Sequence, residues 1–146
     1  MHNTIKIGDL SVTFIKSRHE TQGAFDLYEL ILPPNARTFL PHFHRDYDET
    51  VMGLNGITHW ILDGQHRDLG PSEQLYIPRG MTNCALNLHQ APARIQCLII
   101  PGLLGPEYFQ ELAALEKRGS FGFPRREEVH AVMARYGVIA VSPGEA

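Results

Sequence analysis

The chain is cut into short pieces by turn residues, and that limits what it can build. Asn55-Gly56, Asp63-Gly64 and Pro78-Arg79-Gly80 each mark a tight reversal. Between such points the residues alternate in polarity instead of recurring at helical spacing. Residues 10–17 set Val12, Phe14 and Lys16 against Ser11, Thr13 and Ile15. Residues 25–32 alternate apolar positions with Asp, Tyr and Glu before a Pro33-Pro34-Asn35 turn. Further strands are predicted at 38–44, 50–54, 57–62, 74–77, 82–88 and 94–100. About ten short strands at this spacing predict an antiparallel sandwich or barrel.

After Pro101 the period changes. Pro106 suits the first position of a helix running to Arg118, with Gly119 beyond its end. Tyr108, Phe109, Leu112 and Leu115 share one face of it. A second helix fits 124–136: Pro124 opens it, Glu127 and Glu128 suit its positive end, and Gly137 caps it. Its apolar stripe is Val129, Val132, Met133 and Tyr136. One more short strand is expected at 138–141. The division is therefore a β-domain at 1–101 and a helical tail at 102–146 packed on it, forming a single domain overall.

Composition narrows the function. The 146 residues have 43% hydrophobic and 20% charged side chains, as a globular domain does. Lys plus Arg total 13 against 16 for Asp plus Glu, so no basic footprint marks a nucleic-acid partner or an anionic membrane. Arg125, Arg126 and Arg135 on consecutive helices do not change this, because the apolar stripe is used for burial. No apolar run is long enough to span a bilayer, and residues 1–10 do not read as a signal peptide. Two cysteines make no disulfide framework, and a reducing, cytoplasmic setting is expected.

The chemistry lies in His42-Phe43-His44-Arg45-Asp46-Tyr47-Asp48-Glu49. Side chains at i and i+2 of a strand share a face, so His42 and His44 project together. If the next strand begins near Glu49, its carboxylate returns to the same face. Two imidazoles and a carboxylate with open positions are a ligand set for a first-row divalent metal, of the kind non-haem iron oxygenases use.

This stretch resembles the first motif of the cupins. That motif runs His, any residue, His, a gap of three or four, Glu, six residues, Gly. His42, His44, Glu49 and Gly56 meet every one of those spacings. The family's leading Gly falls at Ala36 and is absent. The second motif is read at Gly70, Pro78, Gly80, Asn83 and Asn87. Its first gap is seven residues instead of five, and Asn83 stands where the family has its third His ligand. The two helices closing on Ala134-Arg135-Tyr136-Gly137 resemble the tail of small single-domain cupins of the quercetinase-like kind.

The resemblance implies an all-β, cupin-type double-stranded β-helix (jelly-roll) barrel with two C-terminal helices, and a homodimer. It also implies a metal site of His42, His44, Glu49 and Asn83 holding Fe, Mn, Ni, Co or Zn. Three readings of Asn83 stand side by side. It ligates weakly or through water, or His59 or His89 replaces the missing imidazole, or the metal site has lapsed and the pocket binds a ligand without metal.

A hairpin over 82–100, turning at His89-Gln90-Ala91-Pro92, is expected to set Cys84 opposite Cys97 and Asn83 opposite Leu98. Asn83, Ala85, Asn87, Gln96 and Leu98 would then face inward, with the two cysteines outside as reduced thiols. Tyr28, Trp60, Tyr76 and Gln96 are the candidates for the substrate wall. Tyr47 and Asp48 read as a solvated turn.

The leading expectation is a metal-dependent enzyme on a small organic molecule, with dioxygenase as the first reaction class. The alternative is a non-catalytic cupin that binds a small ligand at a degenerate metal site. A third, an interaction protein acting through its tail, rests on the helices alone.

Overall fold

The computed structural model describes residues 3–36, 40–117 and 126–141. They form two antiparallel sheets facing one another across one core, followed by two helices. The strands are β1 (Thr4–Ile7), β2 (Leu10–Lys16), β3 (Asp26–Leu32), β4 (His42–His44), β5 (Asp48–Asn55) and β6 (Thr58–Leu62). Then come β7 (Gln65–Leu69), β8 (Gln74–Ile77), β9 (Asn83–Leu86) and β10 (Ala93–Ile100). Helices α1 (Gly105–Lys117) and α2 (Arg126–Arg135) precede β11 (Val138–Ala140). One sheet has the order β1-β2-β3-β10-β5-β8 and the other β11-β4-β9-β6-β7. The result is a jelly roll of two sheets instead of a closed barrel.

Two turn signals have different outcomes. Asp63-Gly64 is a hairpin turn joining β6 to β7, and both residues have positive φ (47° and 82°), as a primed turn requires. Asn55-Gly56 is not a hairpin. It carries the chain from β5 in one sheet to β6 in the other. Gly56 has φ 72°, and a Cβ there would lie 2.8 Å from the Pro92 carbonyl oxygen. This accounts physically for the glycine that ends the first motif.

The expected 82–100 hairpin is wrong. β9 pairs with β4 and β6, whereas β10 lies between β3 and β5 in the opposite sheet. Cys84 is therefore opposite Ile61, and Cys97 opposite Tyr28 and Val51. Both cysteines are buried, and neither is in a disulfide.

The tail is part of the core. Tyr108, Phe109, Leu112, Leu115, Val129, Val132 and Met133 are all buried in it, the stripes expected of two amphipathic helices. The predicted termini at Arg118, Gly119 and Pro124 lie outside the described residues, as do positions 38 and 39 of the strand expected at 38–44. β11 pairs with β4, setting Val138, Ile139 and Ala140 against His44, Phe43 and His42. Among the described residues no helix is long and apolar enough to cross a membrane.

A buried carboxylate fixes α1. Asp26, fully buried at the start of β3, accepts the Arg18 amide at 2.7 Å through Oδ1. Through Oδ2 it accepts the Leu104 and Gly105 amides, each at 3.1 Å. It thus serves as the anionic cap of a helix far along the chain. We expect Asp26→Ala to cost about 2–4 kcal/mol in urea unfolding, because it strands three amides in a dry site. Asp26→Asn should cost less.

Candidate functional site

The inner faces of the two sheets place the motif residues. His42 and His44 point inward from β4, and the intervening Phe43 turns away. Asn83 is the registered partner of His42 on β9, so the two share that face. Glu49 comes from β5, in the opposite sheet. The sequence reading returned it to the same face as the histidines. The structure instead sets it across the core from them. The Pro78–Gly80 turn of the second motif docks on the histidine strand, its Gly80 amide donating to the His44 carbonyl at 2.8 Å.

The imidazoles differ in their bonding. His42 Nδ1 donates to the Leu40 carbonyl at 2.6 Å, which leaves the lone pair on Nε2. His44 Nδ1 is buried with no hydrogen-bond partner, 3.7 Å from Glu49 Oε1. That separation is too long for a hydrogen bond. The rings of His42 and His44 lie 5.1 Å apart, and His44 stacks on Tyr47 at 4.8 Å and 25°. Tyr47 is not a solvated turn residue: it is fully buried and donates to the Tyr136 carbonyl at 2.9 Å. Asp48 pairs with Arg79. Asn83 Nδ2 is shared between the carbonyls of His42 and Met81, both at 3.3 Å, so its Oδ1 is the atom left to accept.

Burial dominates the electrostatics. Loss of water lowers the His42 basicity and, with His42 beside it, holds His44 well below an ordinary histidine. Burial pushes the Glu49 carboxyl up to about 7, while the Cys97 thiol beside it pulls the other way. Cys97 and Tyr28 are both pushed well up, first by burial; Cys97 and then Glu49 raise Tyr28 further, and Glu49 raises Cys97, while the Tyr28 hydrogen bond pulls Cys97 the other way. Tyr28 and Cys97 are direct cross-strand partners and Glu49 is diagonal to Cys97, so the three form a run across β3, β10 and β5.

These residues line a cavity of about 40 Å³ together with Trp60, Ile95 and Val138. A water needs about 10–15 Å³, so the space holds roughly three water-sized groups. Its roof is α1 and the residue before it, which bring in Leu104, Tyr108 and Phe109. Phe109 lies edge-on to Tyr28 at 5.1 Å. Burial also pushes the Tyr108 hydroxyl well up.

Of the predicted wall, Tyr28 and Trp60 line the cavity, while Tyr76 and Gln96 do not. Tyr76 is 59% exposed opposite Thr50, and Gln96 lies in a groove on the outer face of the six-stranded sheet. The hairpin assumption inverted the parity of β10. Gln96 and Leu98 face out, and Cys97 faces in. His59 stands on the outer face of β6 and His89 in an exposed turn, so neither replaces the missing imidazole. Asn87 is a clamp: its Nδ2 donates to the carbonyls of Leu32 and Ala91 at 3.0 and 2.9 Å. Sequence reasoning missed Leu104, Tyr108 and Phe109. It read the helix stripe as a surface for burial, and nothing in the sequence says which end of the β-domain that stripe covers.

His42, His44, Glu49 and Asn83 thus share one buried cavity. Among the described residues, however, no three His, Cys, Asp or Glu side chains close around one point at metal-ligand geometry. The spacing match, the jelly roll and the shared cavity have one origin. The chain belongs to the cupin family. Residues 28–100 match the Cupin_2 cupin domain, half of the chain.

Solved structures similar to this cupin show the same fold. A sugar phosphate isomerase from a cupin superfamily, from Silicibacter pomeroyi, is 22% identical at TM-score 0.56, covering 62% of this chain and 59% of that one. The chain therefore spans about 59% of the length of that isomerase. A predicted oxalate decarboxylase from Thermotoga maritima gives 14% and 0.62, with 69% and 92% covered. The Cupin_2 domain of an XRE family transcriptional regulator from Enterobacter cloacae gives 23% and 0.55, with 62% and 95% covered. Among curated proteins no match to the sequence is found.

The raised Glu49 pKa has a measurable sign. A carboxyl that keeps its proton longer when folded contributes stability below its unfolded pKa, and loses it as pH rises through the folded value of about 7. His42 and His44 act oppositely, since unfolding lets them take up protons in acid. Glu49→Gln removes only the carboxyl contribution. In metal-free protein, urea unfolding should therefore show wild type losing stability relative to Glu49→Gln between about pH 5 and about pH 8.

Proposed function

We propose that this cupin is a metal-dependent enzyme acting on a small organic molecule, with oxygen-dependent (dioxygenase) chemistry as the reaction class to test first. The observation that carries the reading is the donor set. Two buried imidazoles and a buried carboxylate share one cavity, with His44 Nδ1 left unpaired and the His42 Nε2 lone pair free. A buried, unpaired ring nitrogen is costly, and a cation there would offset that cost. The chemistry of the donors fits Fe, Mn, Ni, Co or Zn. His42, His44 and Glu49 would hold the ion, with Asn83 Oδ1 as a weak neutral fourth donor. An ion held there would supply Lewis acidity toward an enol or phenol and, if iron, redox chemistry toward O₂.

The protein's own groups do the rest in this reading. The Leu40 carbonyl fixes the tautomer and tilt of His42. Tyr47 holds the plane of His44 by stacking. Leu104, Tyr108 and Phe109 exclude bulk water. They also limit substrate size, because about 40 Å³ is well below the roughly 300 Å³ of ordinary ligand pockets. A catechol or flavonol enters only if α1 moves outward, whereas a substrate of two or three heavy atoms needs no such motion.

The second reading is a cupin that binds a small ligand without turnover. Asn83 favours it, as does the fact that the trio does not close around one point. The fold's appearance in a regulator's cupin domain is compatible with it. The separating experiment is elemental analysis of tag-free protein, beside His42→Ala and Glu49→Ala. Near-stoichiometric metal in wild type, reduced at least tenfold in both variants, supports the enzyme reading. Wild type that stays metal-free after reconstitution with Fe(II), Mn(II), Ni(II) or Zn(II) would falsify it.

The reading includes a homodimer that buries the outer face of the six-stranded sheet. There Phe25, Leu27, Met52, Leu98 and Ile100 line an open apolar groove of about 540 Å³. Leu98→Asp, which places a charge at the middle of that face, should convert a dimer into a monomer by light scattering while far-UV circular dichroism is unchanged.

A further inference from the structure

Two histidines and an aspartate outside the cavity form a built cluster that neither cupin motif uses. His59 on β6 is the registered partner of Asp68 on β7, and His66 shares the outer face of β7 with Asp68. His59 Nδ1 lies 2.7 Å from Asp68 Oδ1. His59 Nε2 lies 2.8 Å from His66 Nδ1, and the two rings are 5.0 Å apart. The carboxylate can only accept, so Nδ1 of a neutral His59 carries the proton and its Nε2 presents a lone pair. With both rings neutral, His66 donates from Nδ1 into that lone pair.

We propose that this face of the β6–β7 hairpin is a divalent-cation site separate from the cavity. In it, His59 Nε2 and His66 Nδ1 coordinate a late first-row ion such as Zn(II), and Asp68 orients His59. Two nitrogens each about 2.0–2.1 Å from a shared ion stand about 2.9 Å apart at a right angle and about 3.3 Å apart at the tetrahedral angle, so the 2.8 Å pair needs to open by a few tenths of an ångström and turn its rings toward the ion. The binding step balances without an external base. The His66 proton moves from Nδ1 to Nε2, so the ring stays neutral while both lone pairs turn to the ion. A carboxylate behind a ligating imidazole is the usual support of such a site, and its charge partly offsets that of the cation. The Asp68 side chain is 67% exposed and His66 is exposed, so water fills the remaining positions. The ion would tie β6 to β7, which is the edge strand of its sheet. None of this depends on whether the cavity holds a metal.

The test is calorimetric titration of tag-free full-length protein with Zn(II). His59→Ala and His66→Ala should each lose one equivalent relative to wild type. Asp68→Asn should bind that equivalent about tenfold more weakly, and His89→Ala, altered in an exposed turn elsewhere, should titrate as wild type. In ¹⁵N-imidazole spectra that equivalent should shift His59 and His66. All three cluster residues are on the surface, so the variants are expected to fold, which circular dichroism checks. The proposal is overturned if His59→Ala and His66→Ala titrate like wild type, or if every equivalent disappears in His42→Ala alone.

Discussion

A buried carboxylate at the start of β3 decides where the helical tail begins. Asp26 gathers the amides of Arg18, Leu104 and Gly105 in a dry pocket, where each would otherwise lack a partner. Because α1 starts from that point, Tyr108 and Phe109 arrive over the inner faces of the sheets. Phe109 then fits against Phe14 and Tyr28, at ring separations of 5.8 and 5.1 Å. The small, enclosed character of the cavity follows from this geometry, and the suppressed charge on His42, His44 and Glu49 follows from their burial.

The cavity is an assembly between layers. β4 and β9 bring His42, His44 and Asn83 from one sheet, while β3, β5 and β10 bring Tyr28, Glu49 and Cys97 from the other. One polar approach across the gap, His44 Nδ1 to Glu49 Oε1 at 3.7 Å, is a spacing between sheets rather than one along a strand. Side chains in such a site can be changed without altering the backbone of both layers. This is consistent with one fold serving an isomerase, a predicted decarboxylase and a regulator's domain among the similar structures.

The parts of this structure that were legible in the sequence were those written in local periods. Alternation located β2, β3 and β10 to within a residue or so, and the i, i+2 rule put His42 and His44 on one inner face. The helix stripes were also legible, because burial of Leu112 or Val132 needs only a neighbour and not a particular one. β1 and β7 escaped. β7, Gln65–Leu69, is an edge strand exposed at all but its last residue and has no apolar alternation to detect. The errors at Gln96 and Cys97 share a cause. Parity on β10 was taken from a hairpin with β9, yet the residues between those strands cross from one sheet to the other. Only long-range pairing with β3 and β5 sets which side of β10 faces inward.

The histidine strand is only three residues long, and its registered pairing with β9 is a single position, His42 with Asn83. Its fuller partner is β11, which matches all three residues and is flanked by backbone bonds from Arg45 to Gly137 and from Val141 to Pro41. Those residues lie near the far end of the chain. During synthesis, therefore, everything from β5 to β11 must leave the ribosome before the backbone under His42 and His44 can be completed. Closing so long a loop is entropically unfavourable until the sheets between are in place. The site is in this sense an end product of folding, and a chain interrupted early would carry the motif without the scaffold that aims it.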